Sequence, residues 1–310
     1  MGNCIAVKLK KPTRSTKRKM TLRESRSNRP KQSKQSNQSN RVTQSNRSNI
    51  CLKSKINANN TPTTPTIHLP SSVDKKAVLI GLNYTGTSAA LQGCINDAMR
   101  MAKTLQTKFD YKDTTVFTDR DLSRRNNILQ VLDRLIDSKV KNLYFQYSGH
   151  GTQVYDHNND EADGLDEALY SVGGTLITDD EINKRVQRIP NGTNMVLVID
   201  ACHSGTMIDL PYQLKNGKVV KINNNEVRGD VICISGCRDN QVSMDVNAEN
   251  TSYGAMSNAL QKVLTRVDVN TITWKALVTE LNAELRKDHY AQVPQLCVSR
   301  PDLINQIVKF

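Results

Sequence analysis

Leu143-Tyr-Phe-Gln-Tyr147 running into Ser148-Gly149-His150-Gly151, and Met195-Val-Leu-Val-Ile199 running into Asp200-Ala201-Cys202-His203-Ser204-Gly205, decide how this chain folds. Each is a short apolar run of strand length that stops at small and polar residues. Near-continuous apolar strands are buried on both faces, as the strands of parallel sheets are. Four more runs have this character: Ala77–Leu82, Thr114–Phe117, Val231–Ser235 and Gln295–Val298. Amphipathic spacing predicts helices over Ala89–Lys108, Arg124–Ser138, Asp179–Arg188, Tyr253–Val267 and Thr273–Lys287. Strands alternating with helices imply an α/β domain, a mostly parallel sheet with helices on both faces and its chemistry at the carboxyl ends of strands.

Two of those ends carry a His and a Cys beside glycines. A thiol nucleophile and the base that takes its proton need that juxtaposition. Gly149 and Gly151 permit close backbone approach to a substrate, and the amides of Gly151 and Cys202 are candidates to face a developing oxyanion. His203, in the same turn as Cys202, is the competing base. A lone Cys or His after a strand is more often an ordinary buried residue. Here the two motifs occur together at the expected strand ends, which favours His150 and Cys202 as a pair.

Charge is distributed unevenly. Of the 43 Lys and Arg residues, 16 fall in residues 1–60 beside one acid, Glu24, so this stretch carries +15 and the other 250 residues −2. The basic isoelectric point therefore belongs to a tail, and a nucleic-acid-binding body is excluded. Residues 1–73 are polar and low in large apolar side chains, and are read as a disordered basic tail and linker; residues 74–310 suffice for one folded domain. No apolar run approaches the length of a membrane-spanning helix. Gly2 and Cys4 are acceptor positions for myristate and palmitate, although position 6 is Ala where Ser or Thr is usual. Two acyl chains with the basic cluster Lys8–Lys19 would hold the protein on an anionic membrane surface; the alternative is a solvated tail without an anchor. Seven cysteines without a secretory signal are expected as reduced thiols in a cytoplasmic protein.

The chain resembles the metacaspases, within the caspase-like cysteine peptidases. Besides the two strand ends, the resemblance rests on Gly81-Leu-Asn-Tyr84, Leu91-Gln-Gly-Cys-Ile-Asn-Asp97, Asp163-Gly-Leu-Asp-Glu167, Ser235-Gly-Cys-Arg-Asp-Asn-Gln241 and Gln292-Val-Pro-Gln-Leu296. His150 precedes Cys202 by about 50 residues, as in caspases. The resemblance covers Lys76 to about Phe310. It implies a caspase-like fold, a His150/Cys202 dyad, cleavage of protein substrates after Arg or Lys, and a monomer. It also assigns Asp97, Ser148 and Asp200 to the pocket for the basic side chain, and Asp166, Asp179, Asp180 and Asp209 to an activating Ca2+. Asp97 as a helix-start acid, Asp200 as a polar strand end and Asp163 in place of Asp166 remain open alternatives. Thr178-Asp-Asp-Glu181 also reads as a capping box.

Tyr212 to Arg228, rich in Lys and Asn, is expected as a mobile surface loop offering Lys215, Lys218, Lys221 and Arg228 for self-cleavage; the basic tail is the other such region. The rival to an enzyme is a catalytically silent scaffold of the same fold, tethered to membranes by its tail. Specific nucleic-acid binding is not expected.

Overall fold

The structure is a computed structural model; it describes residues 74–122, 125–156, 164–202, 204, 207–236, 245–248 and 251–310. The tail, with Gly2 and Cys4, lies outside the described residues, as do Asp163 and His203.

All six expected strands pair into one sheet. They are β1 (Lys75–Gly81), β2 (Asp113–Phe117), β3 (Asn142–Ser148), β7 (Asn194–Asp200), β10 (Asp230–Ser235) and β13 (Gln295–Val298). With β8 (Tyr212–Lys215) and β9 (Lys218–Lys221) the order of this eight-stranded sheet is β2-β1-β3-β7-β10-β13-β8-β9, parallel from β2 to β10 and antiparallel beyond, while β11 (Asp245–Ala248) and β12 (Thr251–Gly254) pair separately. Alternate residues of each strand bury on opposite faces. Ala77 and Leu79 of β1, with Val196 and Val198 of β7, join the core beneath α1 (Cys94–Lys108), α4 (Ala255–Arg266) and α5 (Trp274–Lys287). Val78 and Ile80, with Leu197 and Ile199, join the core beneath α2 (Arg125–Ile136) and α3 (Asp179–Val186). Each of these Val, Leu and Ile side chains contributes roughly 1.5–3 kcal/mol by burial. Among the described residues no helix is long and apolar enough to cross a membrane.

Two expectations are corrected, and a second sheet is added to the six expected strands. The first helix begins at Cys94, not Ala89: the Asn83 side chain accepts from Ile95 N at its start, and Leu91 N is drawn to Asn83 O, so residues 89–93 are a loop. A second sheet, β4 (Gly151–Tyr155), β5 (Leu165–Tyr170) and β6 (Leu176–Thr178), follows β3 directly. Tyr212 to Arg228 is not a loop throughout. Its first half is a hairpin, β8 (Tyr212–Lys215) and β9 (Lys218–Lys221), turning at Asn216 and Gly217 with φ of 51° and 75° and extending the main sheet. The two-residue Asn-Gly turn matches the twist of the strands it joins. The rest is pinned by Asn223 and Asn225, whose amides donate to the Asp209 carbonyl at 3.1 and 3.2 Å.

Candidate active site

The pairing of β3 on β7 ends with Ser148 opposite Asp200, and one residue further Gly149 N donates to Asp200 O at 3.2 Å. His150 and Cys202 therefore leave adjoining tips of one sheet. The approach is close: a Cβ on Gly151 would lie 2.1 Å from the Cys202 carbonyl oxygen. Only a residue without a side chain lets β4 begin there. Cys202 is buried, 8 % exposed.

The backbone of His150 is held between two tyrosine hydroxyls. Its N–H donates to Tyr84 Oη (2.9 Å), and its carbonyl accepts from Tyr147 Oη (2.9 Å) and Tyr170 N (3.0 Å). Tyr84 Oη in turn donates to Tyr170 O at 2.6 Å. Burial pushes both phenols well above their ordinary range, so they persist as neutral hydroxyls. Tyr84 has a left-handed φ of 51°, which the Asp119 carboxylate holds by accepting from the amides of Asn83, Tyr84 and Thr85. The imidazole stacks at 4.7 Å from the Tyr84 ring, and its Nε2 lies 2.7 Å from Ala89 O. A carbonyl only accepts, so this contact requires the proton on Nε2 and leaves Nδ1 as the accepting nitrogen.

Asp97, Ser148 and Asp200 lie beneath these tips and are all buried, 3, 1 and 4 % exposed. Ser148 ends a polar line along one face of β3, in which Tyr144 donates to Gln146 and Gln146 to Ser148 Oγ. Asp97 and Asp200 both meet the start of α4. Gly254 N donates to Asp97 Oδ2 at 2.8 Å and Ser257 N to Asp200 Oδ2 at 3.0 Å. Gly254, the N-cap, has no side chain to cap with, so the helix borrows its caps from α1 and β7.

A second group of acids surrounds the start of α3. Thr178 and Glu181 form the expected capping box. Asp179 Oδ1 accepts from Asp180 N (2.7 Å) and Oδ2 from Glu167 N (3.0 Å). Its carboxyl is nevertheless pushed up to about 9, first by burial and then by Asp209 and, less, Glu167. The Asp180 side chain points to Lys184, 2.9 Å away, and Asp166 is buried on β5. The structure thus groups Asp179 with Asp209 and with Glu167, which the sequence reading missed. Among the described residues no three such side chains are already arranged around a single cation. Crowded, buried carboxylates are hard oxygen donors whose repulsion a divalent cation would relieve, so the residues present fit Ca2+ in character.

A mostly parallel sheet flanked by helices, with His and Cys at neighbouring tips, defines a caspase-like protein. Solved structures share that fold: a protein of Geobacter sulfurreducens with TM-score 0.57 and 23 % identity, over 75 % of this chain and 97 % of that one, and caspase-1 of Spodoptera frugiperda with TM-score 0.50 and 14 % identity, over 74 % and 86 %.

The chain belongs to the metacaspase family, a family of cysteine-type peptidases: the family model described as metacaspase, peptidase C14 domain, matches residues 75–211. Metacaspase-1 of Candida glabrata is 32 % identical over 74 % of this chain and 74 % of its own length. Metacaspase-1 of Cryptococcus neoformans is 34 % identical over 73 % of this chain, which spans 63 % of that relative.

Proposed function

We propose that the protein is a calcium-dependent cysteine endopeptidase that cleaves after Arg or Lys. The observation that carries this reading is the register of β3 on β7, which sends His150 and Cys202 out of adjoining strand tips with Gly151 packed on the Cys202 carbonyl. Nδ1 of His150 takes the proton of the Cys202 thiol, and the sulfur attacks the scissile carbonyl carbon. The amides of Gly151 and Cys202 meet the oxyanion, and the imidazolium returns its proton to the departing amine. Water, deprotonated by the same imidazole, hydrolyses the thioester and restores the thiol. Nε2–H on Ala89 O keeps the imidazole in the tautomer these steps need.

Asp97 and Asp200, with Ser148, suit a guanidinium or ammonium; an acidic side chain would meet two like charges, at a cost of about several kcal/mol. All three are covered here, so a substrate side chain enters only once the neighbouring chain moves aside. Asp166, Asp179, Asp180 and Asp209, with Glu167 beside them, would hold the Ca2+. Bound there, the cation offsets their mutual repulsion and fixes the segments that carry them.

Self-cleavage is assigned to the basic tail rather than the hairpin. Lys215, Lys218 and Lys221 are fixed in a β ladder, and Arg228, itself exposed, is flanked by the buried Val227 and Gly229, which hold its backbone in place. The exposed lysines of the edge strand β9 discourage sheet-to-sheet pairing, which supports a monomer. Gly2, Cys4 and the basic cluster would tether a cytoplasmic enzyme to anionic membranes.

Fluorogenic peptides ending in Arg, Lys or Asp, each with calcium and with chelator, test the whole reading. Turnover of the basic peptides is expected only with calcium and only with Cys202 intact. Cleavage after Asp alone would refute the pocket, full activity in chelator the calcium requirement, and no turnover of any peptide would favour the scaffold.

A further inference from the structure

Gly254 has φ −69° and ψ 140°, a conformation open to any L-residue. Its lack of a side chain is therefore not explained by the backbone. Space explains it. A Cβ built there would lie 2.4 Å from Asp200 Oδ2 and 2.9 Å from Asp97 Oδ2, so the carboxylate oxygens of two different elements converge on one point at the mouth of α4. Gly93, at the start of α1, lets the chain before α4 come in this close, since a Cβ on it would lie 2.7 Å from the backbone of Tyr253. Gly236, at the end of β10, leaves room on the other side: a Cβ there would lie 3.0 Å from Asp200 Oδ1.

Two carboxylates side by side repel each other unless something holds them. The unsatisfied amides of a helix N-terminus do so, each with partial positive charge. Gly254 N and Ser257 N each take one oxygen of one acid. We propose that Gly254 is a specificity-determining position: the bare first turn of α4 lets Asp97 and Asp200 converge on one point, where a guanidinium or ammonium side chain of the substrate would meet both charges. This rests on the proposed preference for Arg and Lys and adds what sets it. A methyl group at 254 would leave the fold in place, because the atoms it meets are the swinging ends of side chains, and would turn the two carboxylates apart.

The test compares full-length wild type, Gly254→Ala and Gly236→Ala on fluorogenic peptides ending in Arg and Lys with calcium. Alkylation of Cys202 by iodoacetamide, which has no basic side chain, reports the thiol and imidazole separately. For Gly254→Ala, kcat/KM on both peptides is expected to fall by about 100-fold, mostly through KM, with the alkylation rate and circular dichroism unchanged. Gly236→Ala, with its milder approach to Asp200, is expected to lose a few-fold by the same route. Turnover by Gly254→Ala close to wild type overturns the inference, and so does alkylation that falls in parallel with turnover, which would mean damage to the thiol site. If Gly254→Ala does not fold, an unchanged KM in Gly236→Ala overturns it. Wild type that alkylates at Cys202 yet cleaves neither basic peptide removes the proposed specificity and this inference together; basic cleavage untouched by either substitution removes this inference alone.

Discussion

The protein buries two groups of carboxylates and supports them in different ways. Asp97 and Asp200 come from α1 and β7 to the start of a third element, α4, and each gives one oxygen to a backbone amide there. Asp179 sits at the start of its own helix and also accepts two amide bonds, yet burial beside Asp209 and Glu167 still pushes its carboxyl up to about 9. At Asp179 two backbone amides do not offset burial and the crowding by Asp209 and Glu167. On the proposed function, a cationic substrate side chain would visit the first group during a catalytic cycle, and a resident cation would offset the repulsion within the second.

The largest effect expected from this contrast is in the first group. Asp200→Asn and Asp97→Asn keep an oxygen for the α4 amides but lose a charge, so kcat/KM for Arg peptides should fall by about 100-fold while the fold persists. Asn variants that retain full turnover of Arg peptides would reduce these acids to helix caps. The second group should respond in stability. A calcium ion held at a hundredfold excess over Kd adds about 2.7 kcal/mol, roughly 5–10 °C in Tm for a domain of this size. Asp209→Asn should lose most of that shift. Without calcium it should melt no lower than wild type, because Asn tolerates the left-handed φ of 48° at this position and one repelling charge is gone. A calcium shift of the same size in both proteins would dissolve the distinction between the two groups.

How far these arrangements were legible in the sequence depends on how local their causes are. The six apolar strands and the motifs at the tips of β3 and β7 could be read directly, because burial on both faces writes itself into consecutive residues. The β8–β9 hairpin could not be recognised from its Lys-rich strands, although Asn216-Gly217 carried its turn signal. β4 to β6 are short, and β4 is only half-buried, so no apolar run marked them. The support of His150 was hidden for another reason: Tyr84 lies 66 residues away and is itself placed by Asp119. The caps of α4 come from 157 and 57 residues back in the chain, so a search for a local Ser, Thr or Asp before that helix finds only glycine.

A third buried acid measures what full cations do where the other two groups rely on amides. Glu284 on α5 is 5 % exposed and pairs with Arg266 of α4, with Lys262 3.6 Å away. The Arg266 hydrogen bond is the main reason its carboxyl is held below the ordinary 4.5. Both cations are more than one-third exposed and screened by water, so Glu284→Gln is expected to cost only about 1 kcal/mol, roughly 2–4 °C. The sign of the pH dependence follows from the direction of the shift. Between its lowered folded value and 4.5, the folded state binds fewer protons at Glu284 than the unfolded state does. The contribution of Glu284 is therefore complete above 4.5 and disappears as pH falls through the folded value. Melting curves of wild type and Glu284→Gln should stay a constant distance apart from pH 7 to about 5 and converge as pH falls below 4.5 and through the lowered folded value. A gap that persisted undiminished at pH 3 would mean that packing of the side chain, not its charge, ties α5 to α4.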